Sequence, residues 1–213
     1  PICLIFCGIN DCSFHAHNSG TIWHMVSTFA IRFYAWKAYA FADVSMQCTV
    51  NGYFDVGSRF EWLDKIIRPK LLELKTLQEK ISFTEQVLLK RLSAVRENTV
   101  VNDTRQNILI NKGSLDIAKL AKESFVSTRQ LERLFHEYVG ITPKKLSNLV
   151  RYQFLWRDIL CEPDFDVLSA VHKFGYTDQS HLLREFKRYH SMDIHNARIM
   201  AFKDVGNIQD VFV

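Results

Sequence analysis

Apolar residues in the C-terminal half of the chain recur at intervals of three and four, the period of an amphipathic helix. The clearest run follows Asp178, a helix N-cap type whose carboxylate can accept a hydrogen bond from an otherwise unpaired backbone N–H. Leu182 and Phe186 then fall on one face of the helix. Gly175, which tolerates a positive φ, indicates the end of a preceding short helix. The pattern predicts the turn and second helix of a helix-turn-helix over residues 174–188.

The opposite face of this predicted helix is polar. It carries Gln179, Ser180, Leu183, Arg184 and Lys187. Amide, hydroxyl and guanidinium groups at an exposed helix start are the groups that read base edges in a major groove. A solvated amphipathic helix explains one such segment equally well, because helical hairpins are common.

Similar signals precede this stretch. The pattern predicts short helices near residues 104–111 and 115–122. Ser127 is the predicted cap of a third helix, with Gln130 completing a capping box. The apolar face of that helix consists of Leu131, Leu134, Phe135 and Tyr138. Its outward positions are Thr128, Arg129, Glu132, Arg133 and His136.

A long helix is predicted between the two sets. Thr142-Pro143 is the strongest helix start in the chain, because a threonine N-cap precedes a proline at the first helical position. The helix is expected to run to about Cys161 and to stop before Pro163. At 1.5 Å per residue it spans roughly 27 Å. Another helix, over residues 166–174, then leads into the stretch described first.

The two predicted helix-turn-helix segments are related by an internal repeat. A shift of 51 residues superimposes core positions on core positions and cap on cap. The matched pairs are Ile117 and Leu168, Leu120 and Val171, Phe125 and Tyr176, Ser127 and Asp178, Leu131 and Leu182, Arg133 and Arg184, Phe135 and Phe186, and Tyr138 and Tyr189. Self-similarity of this kind indicates two structural copies. A rigid helix of about 27 Å between them approaches the ~34 Å spacing of successive major grooves, so one subunit can read two groove segments.

The N-terminal part has a different pattern. Residues 1–56 are rich in aromatic and β-branched residues, and the alternation over residues 28–34 predicts a half-buried strand. The segment that follows has helical periodicity, which Pro69 is expected to interrupt, and Ser82-x-x-Glu85 predicts a capping box. Its leucines fit core packing, with dimerisation or interdomain coupling as the functional alternative.

The composition is that of a globular protein. The chain has 213 residues, of which 47% are hydrophobic and 23% charged. A net charge of +4 and a pI near 8.8 permit nucleic-acid binding without requiring it. The most hydrophobic run, residues 21–41, carries His24, Arg32 and Lys37, so no membrane span is expected. The odd number of cysteines, without a regular framework, favours a reducing compartment, and we expect a cytoplasmic location.

One constellation near the start of the chain has the residue types of a metal site. Its members are Cys3, Cys7, Cys12, His15 and His17. Thiolate and imidazole suit Zn²⁺, but the spacings do not match paired Cys-x₂-Cys knuckles, so neither a metal nor another cofactor is expected. The same segment lacks the basic leader of a signal peptide and an initiator Met, which makes a fragment or a processed product the expectation.

Two motifs resemble the AraC family of bacterial transcription regulators, and the resemblance covers about residues 100–198. The first motif is Leu-Ala-x₄-Val-Ser-x-Arg-x-Leu-x-Arg-x-Phe from Leu120, followed by Gly140-Ile141-Thr142-Pro143. The second is Phe174-Gly175-Tyr176-x-Asp178-Gln179-Ser180-His181-x₂-Arg184-x-Phe186-Lys187-Arg188. The resemblance implies a mainly α C-terminal half with two helix-turn-helix units joined by a long helix. It also implies sequence-specific binding to promoter DNA and control of transcription through RNA polymerase.

Motif position assigns roles to individual residues through this resemblance. The base-facing candidates are Arg129, Glu132 and Arg133 in the first unit, and Gln179, Ser180, His181 and Arg184 in the second. The phosphate contacts are Thr128, Lys187 and Arg188. An arginine can fork onto guanine and a glutamine onto adenine, whereas phosphate contacts position the protein without specifying a sequence. Glu132 either accepts a hydrogen bond from cytosine or lies off the groove.

The resemblance weakens in two places. After the second unit the family usually has Thr-Pro or Ser-Pro, but this chain has Asp193-Ile194, so the last helix is expected to start differently. The N-terminal part resembles effector or dimerisation domains only loosely. We expect it to be mixed α+β, with an incomplete sensor domain as one interpretation.

The sequence predicts three segments: an N-terminal effector- or dimerisation-like region with a helical linker over 1–95, an AraC-type DNA-binding domain over 96–205, and a tail over 206–213. We expect a transcription regulator that binds double-stranded DNA, and neither an enzyme nor a membrane protein. The sequence does not decide whether the chain forms a homodimer or whether it binds a small-molecule effector. The alternatives are a metal- or redox-responsive sensor, a DNA-repair protein with an AraC-like module, and a defective fragment that binds nothing.

Overall fold

The computed structural model of the protein describes residues 5–7 and 31–203, with side chains over 31–202. In chain order its elements are β1 (Ile5–Cys7), β2 (Tyr53–Asp55), α1 (Glu61–Glu73), α2 (Leu77–Leu92), α3 (Thr99–Ile110), α4 (Ile117–Glu123), α5 (Thr128–Tyr138), α6 (Pro143–Cys161), α7 (Val167–Phe174), α8 (Gln179–His190) and α9 (Ile194–Lys203). As predicted, the C-terminal half is helical and the N-terminal part is mixed. No helix in the described part of the chain is long and apolar enough to cross a membrane.

The described residues form two compact units. The first comprises residues 5–7, 31–97 and 134–140, and the second comprises 98–133 and 141–203. In the first unit β1 pairs antiparallel with β2, with Ile5 opposite Asp55. Its core is built from Ala40, Phe41, Phe60, Leu63, Ile67 and Leu71. A core cluster of the second unit includes Leu155, Ile159, Val171, Phe174, Leu182 and Phe186.

The strand predicted over residues 28–34 is wrong for residues 31–34, and the rest of it lies outside the described residues. Side chains 31–34 alternate between partly buried and exposed, but these residues belong to no strand. The carbonyl of Tyr34 accepts the N–H of Lys37 at 2.8 Å, so the backbone turns there. Phe33 packs against the core of the first unit. Packing on that core therefore produces the alternation, without any strand pairing.

α1 continues through Pro69, which was predicted to interrupt it. Proline cannot donate the hydrogen bond that would reach the carbonyl of Lys65, one turn earlier. Lys65 and Pro69 both lie on the exposed side of the helix. Leu63, Ile67 and Leu71 are buried along the opposite face, on either side of the proline. The continuous apolar face stabilises the helix despite the missing bond.

α2 begins earlier than predicted. Thr76 Oγ1 accepts the N–H of Glu79 at 3.2 Å, and the Glu79 carboxylate accepts the N–H of Thr76 at 2.9 Å. Ser82 and Glu85, the predicted capping box, lie inside the helix. Leu74 is already extended, so the chain has left α1 and Thr76 is in place to cap the next helix.

Capping residues also set the helix starts of the second unit. Asn98 caps α3, so α3 begins five residues before its predicted start. Asp116 caps α4. Thr142 caps α6, which ends at Cys161, and both bounds are as predicted. Asp166 caps α7, which lies within the predicted range of 166–174.

The internal repeat is present, but its offset changes inside the turn. The N–H of Val126 bonds to the carbonyl of Ala121 at 3.1 Å, and the N–H of Tyr176 bonds to that of Val171 at 3.0 Å. These equivalent bonds show that α4 and α7, the first helices of the two helix-turn-helix segments, are offset by 50 residues. From α5 and α8 onward the offset is 51. The turn of the second helix-turn-helix segment therefore holds one additional residue, Thr177.

Phe125 matches Gly175 and not Tyr176, so the predicted pairing is wrong at this position. Phe125 and Gly175 both have a left-handed backbone, with φ of 55° and 66°. Tyr176 is 6% exposed, whereas Phe125 is 96% exposed, as a residue in the turn rather than in the core. The partners predicted for Ile117 and Leu120 shift by one residue in the same way, to Val167 and Ala170.

The C-terminal ends of the two units also correspond. Gly140 and Ser191, 51 residues apart, have left-handed backbones with φ of 93° and 60°. Asp193 holds the position before α9 that Thr142 holds before α6, and its Oδ1 accepts the N–H of Asn196 at 3.0 Å. The departure from a Thr-Pro or Ser-Pro start therefore still yields a capped helix.

Phe125→Gly is expected to raise the free energy of unfolding by about 1 kcal/mol. A left-handed backbone costs a residue with a Cβ roughly 1–2 kcal/mol, and glycine avoids this at a smaller cost in chain entropy. The exposed ring contributes little packing that could be lost. Urea unfolding followed by circular dichroism measures the change. Phe125→Ala keeps the Cβ and is the matched control, and an equal gain in both variants would exclude backbone strain as the cause.

Candidate DNA-binding interface

α8 presents most of the residues predicted to read DNA in the second unit. Asp178 Oδ1 accepts the N–H of His181 at 2.7 Å and so fixes the start of the helix. Leu182 and Phe186 are fully buried, which settles which face of α8 packs on the core. The predicted residues that lie exposed on the remaining surface are Gln179, Ser180, Arg184, Lys187 and Arg188.

His181 is the exception in this set. Its side chain is partly buried, and its ring lies edge-on to the ring of Tyr176 at 5.3 Å. Nδ1 is 3.3 Å from Thr177 Oγ1, and Nε2 is 4.0 Å from the Glu185 carboxylate. Both ring nitrogens therefore face groups of the turn and of α8 itself. The imidazole is less available for a base contact than the exposed side chains around it.

α5 presents the first predicted set. Ser127 Oγ accepts the N–H of Gln130 at 3.1 Å, as predicted for the capping residue. Leu131 and Phe135 are fully buried. His136 was predicted to point outward but is partly buried, because it lies at the edge of the buried face next to Phe135. The exposed predicted residues are Thr128, Arg129, Glu132 and Arg133.

The ten predicted residues are electropositive as a set. Five are Lys or Arg, and one, Glu132, is a carboxylate. Within the described part of the chain, no hydrogen bond or ion pair engages the guanidinium groups of Arg133 and Arg184. Their donors are therefore available to fork onto an external acceptor such as guanine or a phosphate.

An aromatic cluster anchors the C-terminal end of α8 to α6. The ring of His190 lies 4.7 Å from that of Phe186 and 4.2 Å from that of Trp156. The Tyr152 hydroxyl hydrogen-bonds to His190 Nδ1. Burial lowers the pKa of His190, and burial followed by the nearby Tyr189 raises the pKa of Tyr152. The imidazole is therefore neutral at pH 7.

Acidification is expected to destabilise the second unit through His190. Its pKa in the folded protein lies below the value of about 6.5 in an unfolded chain, so the unfolded state binds the proton first. The stability that the neutral His190 contributes is complete above about pH 6.5. It decreases as the pH falls through the pKa of His190 in the folded protein. Urea unfolding of the wild type and of His190→Gln at pH 8, 7, 6 and 5 measures this. The stability advantage of the wild type should shrink with acidity, and a constant difference would contradict the assignment.

Two buried ionisable residues that the sequence pattern did not indicate lie behind the exposed face of α8. Arg151 on α6 and Glu185 on α8 form an ion pair, with side chains 7% and 9% exposed. They are 34 residues apart, and helical periodicity does not identify a partner at that distance. The available signal was a carboxylate beside the apolar position Phe186, on the edge of the packed face.

The cysteine and histidine cluster at the start of the chain lies outside the described residues, apart from the backbone of Cys7 in β1. Across the residues that the structure does describe, no group of three or more His, Cys, Asp or Glu side chains could hold a metal ion. Cys48 and Cys161 are exposed and have free thiols.

Comparison with known proteins identifies the C-terminal region. A family of helix-turn-helix domains, of the AraC type, matches residues 120–198. The HTH-type transcriptional activator RhaS of Escherichia coli O139:H28 (strain E24377A / ETEC) is 25% identical over 119 residues, which cover 53% of this chain and 42% of that protein. RhaS of the E. coli strains SE11 and K12 / DH10B match with the same identity and coverage. The chain spans less than half the length of these curated relatives. No solved structure gives a significant match.

The matched region begins in α4 and ends in α9, and it includes α5, α6 and α8. It therefore contains both sets of exposed polar residues and the helix between them. The capped helix starts and the left-handed turn residues recur in its two halves. Residues 120–198 therefore match the helix-turn-helix domain of AraC-type transcription regulators.

Proposed function

We propose that this protein is a transcription regulator that binds double-stranded DNA in a sequence-specific manner, with α5 and α8 reading two adjacent major-groove segments. The proposal rests above all on the matched exposed arginines, Arg133 and Arg184. Each is the sixth residue of a capped helix, and the two are 51 residues apart. A helical bundle that needs only to be stable has no use for an exposed arginine at both positions. The family of residues 120–198 supports the same function.

The exposed side chains divide into two roles in this proposal. Arg133 and Arg184 fork onto guanine, Gln179 pairs with adenine, and Glu132 accepts a hydrogen bond from cytosine. The remaining base-facing candidates are Arg129, Ser180 and His181. The phosphate contacts are Thr128, Lys187 and Arg188, which hold the helices in register without reading the sequence.

Further partners remain predictions. We propose RNA polymerase as the protein through which transcription is controlled, and a second copy of the chain as a partner through the region over 1–95. The matched relatives are named transcriptional activators, which makes activation the first direction of regulation to test. The DNA-binding domain is proposed to extend over residues 96–205.

Selection of bound sequences from random double-stranded DNA with the full chain tests the function. We expect enrichment of two short motifs whose centres lie about one helical turn, roughly 10 base pairs, apart. Arg133→Ala/Arg184→Ala is the control, because it removes the two matched guanidinium groups from exposed positions and leaves the buried faces unchanged. A folded wild-type chain that enriches no sequence would disprove the function. Enrichment of one motif alone would disprove the double reading.

A further inference from the structure

A buried polar cluster connects the long helix α6 to the second recognition helix. Arg151 Nη2 lies 3.0 Å from Glu185 Oε1 and 2.8 Å from Oε2, and Arg151 Nε lies 3.3 Å from Oε1. The Tyr176 hydroxyl donates to the same Oε1 at 2.9 Å. The Arg151 guanidinium also stacks on the Tyr176 ring, with Cζ 4.1 Å from its centroid. One carboxylate on α8 therefore accepts hydrogen bonds from α6 and from the turn that precedes α8.

The members of this cluster are almost fully enclosed. Arg151 is 6% exposed and Tyr176 also 6%, and the Glu185 side chain is 9% exposed. Burial, together with the Glu185 charge, raises the pKa of Tyr176, so the phenol keeps its proton and donates it. A buried ion pair contributes little net stability compared with apolar side chains of similar size, because both charges lose their hydration. The ion pair instead favours one relative orientation of its two helices, because a forked contact forms only in one geometry.

Because Glu185 lies on α8, the geometry of its contact with Arg151 constrains the helix that is proposed to read DNA. Glu185 directly follows Arg184, and successive residues of an α-helix lie about 100° apart around its axis. Leu182 and Phe186 pack through apolar contacts, which tolerate small rotations of the helix. The Arg151–Glu185 fork does not tolerate them. The rotational setting of α8 therefore also sets the direction in which the Arg184 guanidinium leaves the protein.

The first helix-turn-helix segment has no counterpart of this cluster at the matching positions. The residue matching Glu185 is Leu134, and the residue matching Tyr176 is Val126. A carboxylate and a phenol in the second helix-turn-helix segment thus stand where the first segment has two aliphatic side chains. Arg151 therefore contacts a carboxylate and a phenol of the second helix-turn-helix segment for which the first segment has no equivalent.

We propose that Arg151 is a positioning residue that sets the orientation of α8, and with it the base specificity of the second half-site, through its ion pair with Glu185. This inference rests on the proposed function, because it needs α8 to read DNA. It assigns Arg151 no contact with DNA. It also separates the two half-sites, because a change in the cluster affects reading by α8 and leaves reading by α5 unaltered.

The test measures binding of the full chain to its selected DNA site with each half scrambled separately. The half read by α8 is the one whose scrambling no longer matters in Arg184→Ala. Arg151→Lys keeps the charge and loses the fork. We expect it to reduce the preference for the intact α8 half by about tenfold, the value of a good forked base contact, and to leave the preference for the α5 half unchanged.

A second variant separates positioning from stability. Arg151→Met/Glu185→Leu/Tyr176→Phe replaces all polar members of the cluster with apolar side chains of similar size, which commonly preserves stability. Folding is checked by circular dichroism and urea unfolding. Loss of the α8 preference in the folded triple variant, with the α5 preference retained, supports the proposal. A wild-type preference for both halves in that variant would overturn it, because the cluster would then serve stability alone.

The outcome also distinguishes this inference from the function on which it rests. A wild-type chain that prefers neither intact half refutes DNA reading itself and the positioning role with it. A wild-type chain that prefers both halves, combined with an Arg151→Lys variant that does the same, refutes only the role of Arg151.

Discussion

Gly113→Ala is expected to lower the free energy of unfolding by about 3 kcal/mol or more. Gly113 ends the segment after α3 with φ of 76°, a left-handed backbone that costs a residue with a Cβ about 1–2 kcal/mol. An added Cβ would also lie 2.1 Å from the carbonyl oxygen of Ser147 and 2.7 Å from the backbone nitrogen of Arg151, both on α6. Overpacking of this kind typically costs a further 1–3 kcal/mol or so, because backbone has to move.

The close approach at Gly113 is part of how α3 packs on α6. The Ser147 hydroxyl donates to the Gly113 carbonyl at 2.8 Å, within the buried interior. Moving the two helices apart to admit a methyl group would weaken this bond and expose buried surface around it. The penalty therefore cannot be relieved by turning a side chain away.

Gly175→Ala is the matched control. Gly175 has φ of 66°, so alanine meets the same left-handed cost. Its added Cβ would meet Ser114 Oγ at 2.5 Å, a side-chain atom that can rotate aside. We expect a loss of about 1–2 kcal/mol, from the backbone conformation alone. Urea unfolding of both variants measures the difference, and equal losses would show that the approach of Gly113 to α6 is not the cause.

The parts of the fold that could be predicted are those that local sequence determines. The start of α6 depends on Thr142 and the residue after it, and the start of α8 depends on Asp178. The faces of both helices follow from spacing within a few turns. These signals act over three to five residues, so one sequence contains all the information that they need.

The predictions that were wrong concern segments whose structure is determined by contacts with distant parts of the chain. Residues 31–34 alternate like a strand because their apolar side chains pack on a core that contains Phe60, which lies nearly thirty residues later. α1 passes through Pro69 because buried side chains on the opposite face hold it. Propensity and pattern are weak against such tertiary contacts.

The candidate site shows the same division. Exposure of Arg133 and Arg184 follows from helical period and was predicted. The partial burial of His181 was not, because it depends on Thr177, the one residue by which the two turns differ in length. The contact between Arg151 and Glu185 could not be predicted either, because it joins two helices that neither periodicity nor capping connects.

Arg184→Ala is expected to weaken binding to the selected DNA site by about 1–3 kcal/mol while leaving binding to random DNA little changed. The guanidinium is exposed, and no hydrogen bond or ion pair within the described part of the chain engages it. Its removal should therefore alter stability by no more than about 0.5 kcal/mol. The loss would come from a forked contact to a base, which alanine cannot replace.

Lys187→Ala provides the contrast, because Lys187 lies three residues further along the same exposed face and is assigned to a phosphate. A phosphate contact is independent of sequence, so this variant should weaken binding to selected and random DNA alike. It should also reduce the dependence of log affinity on log salt concentration by about one contact. Fluorescence anisotropy with both DNAs at several salt concentrations distinguishes the two roles. An unchanged ratio of selected to random affinity in Arg184→Ala would mean that α8 does not read bases through this residue, whatever the effect of Lys187→Ala.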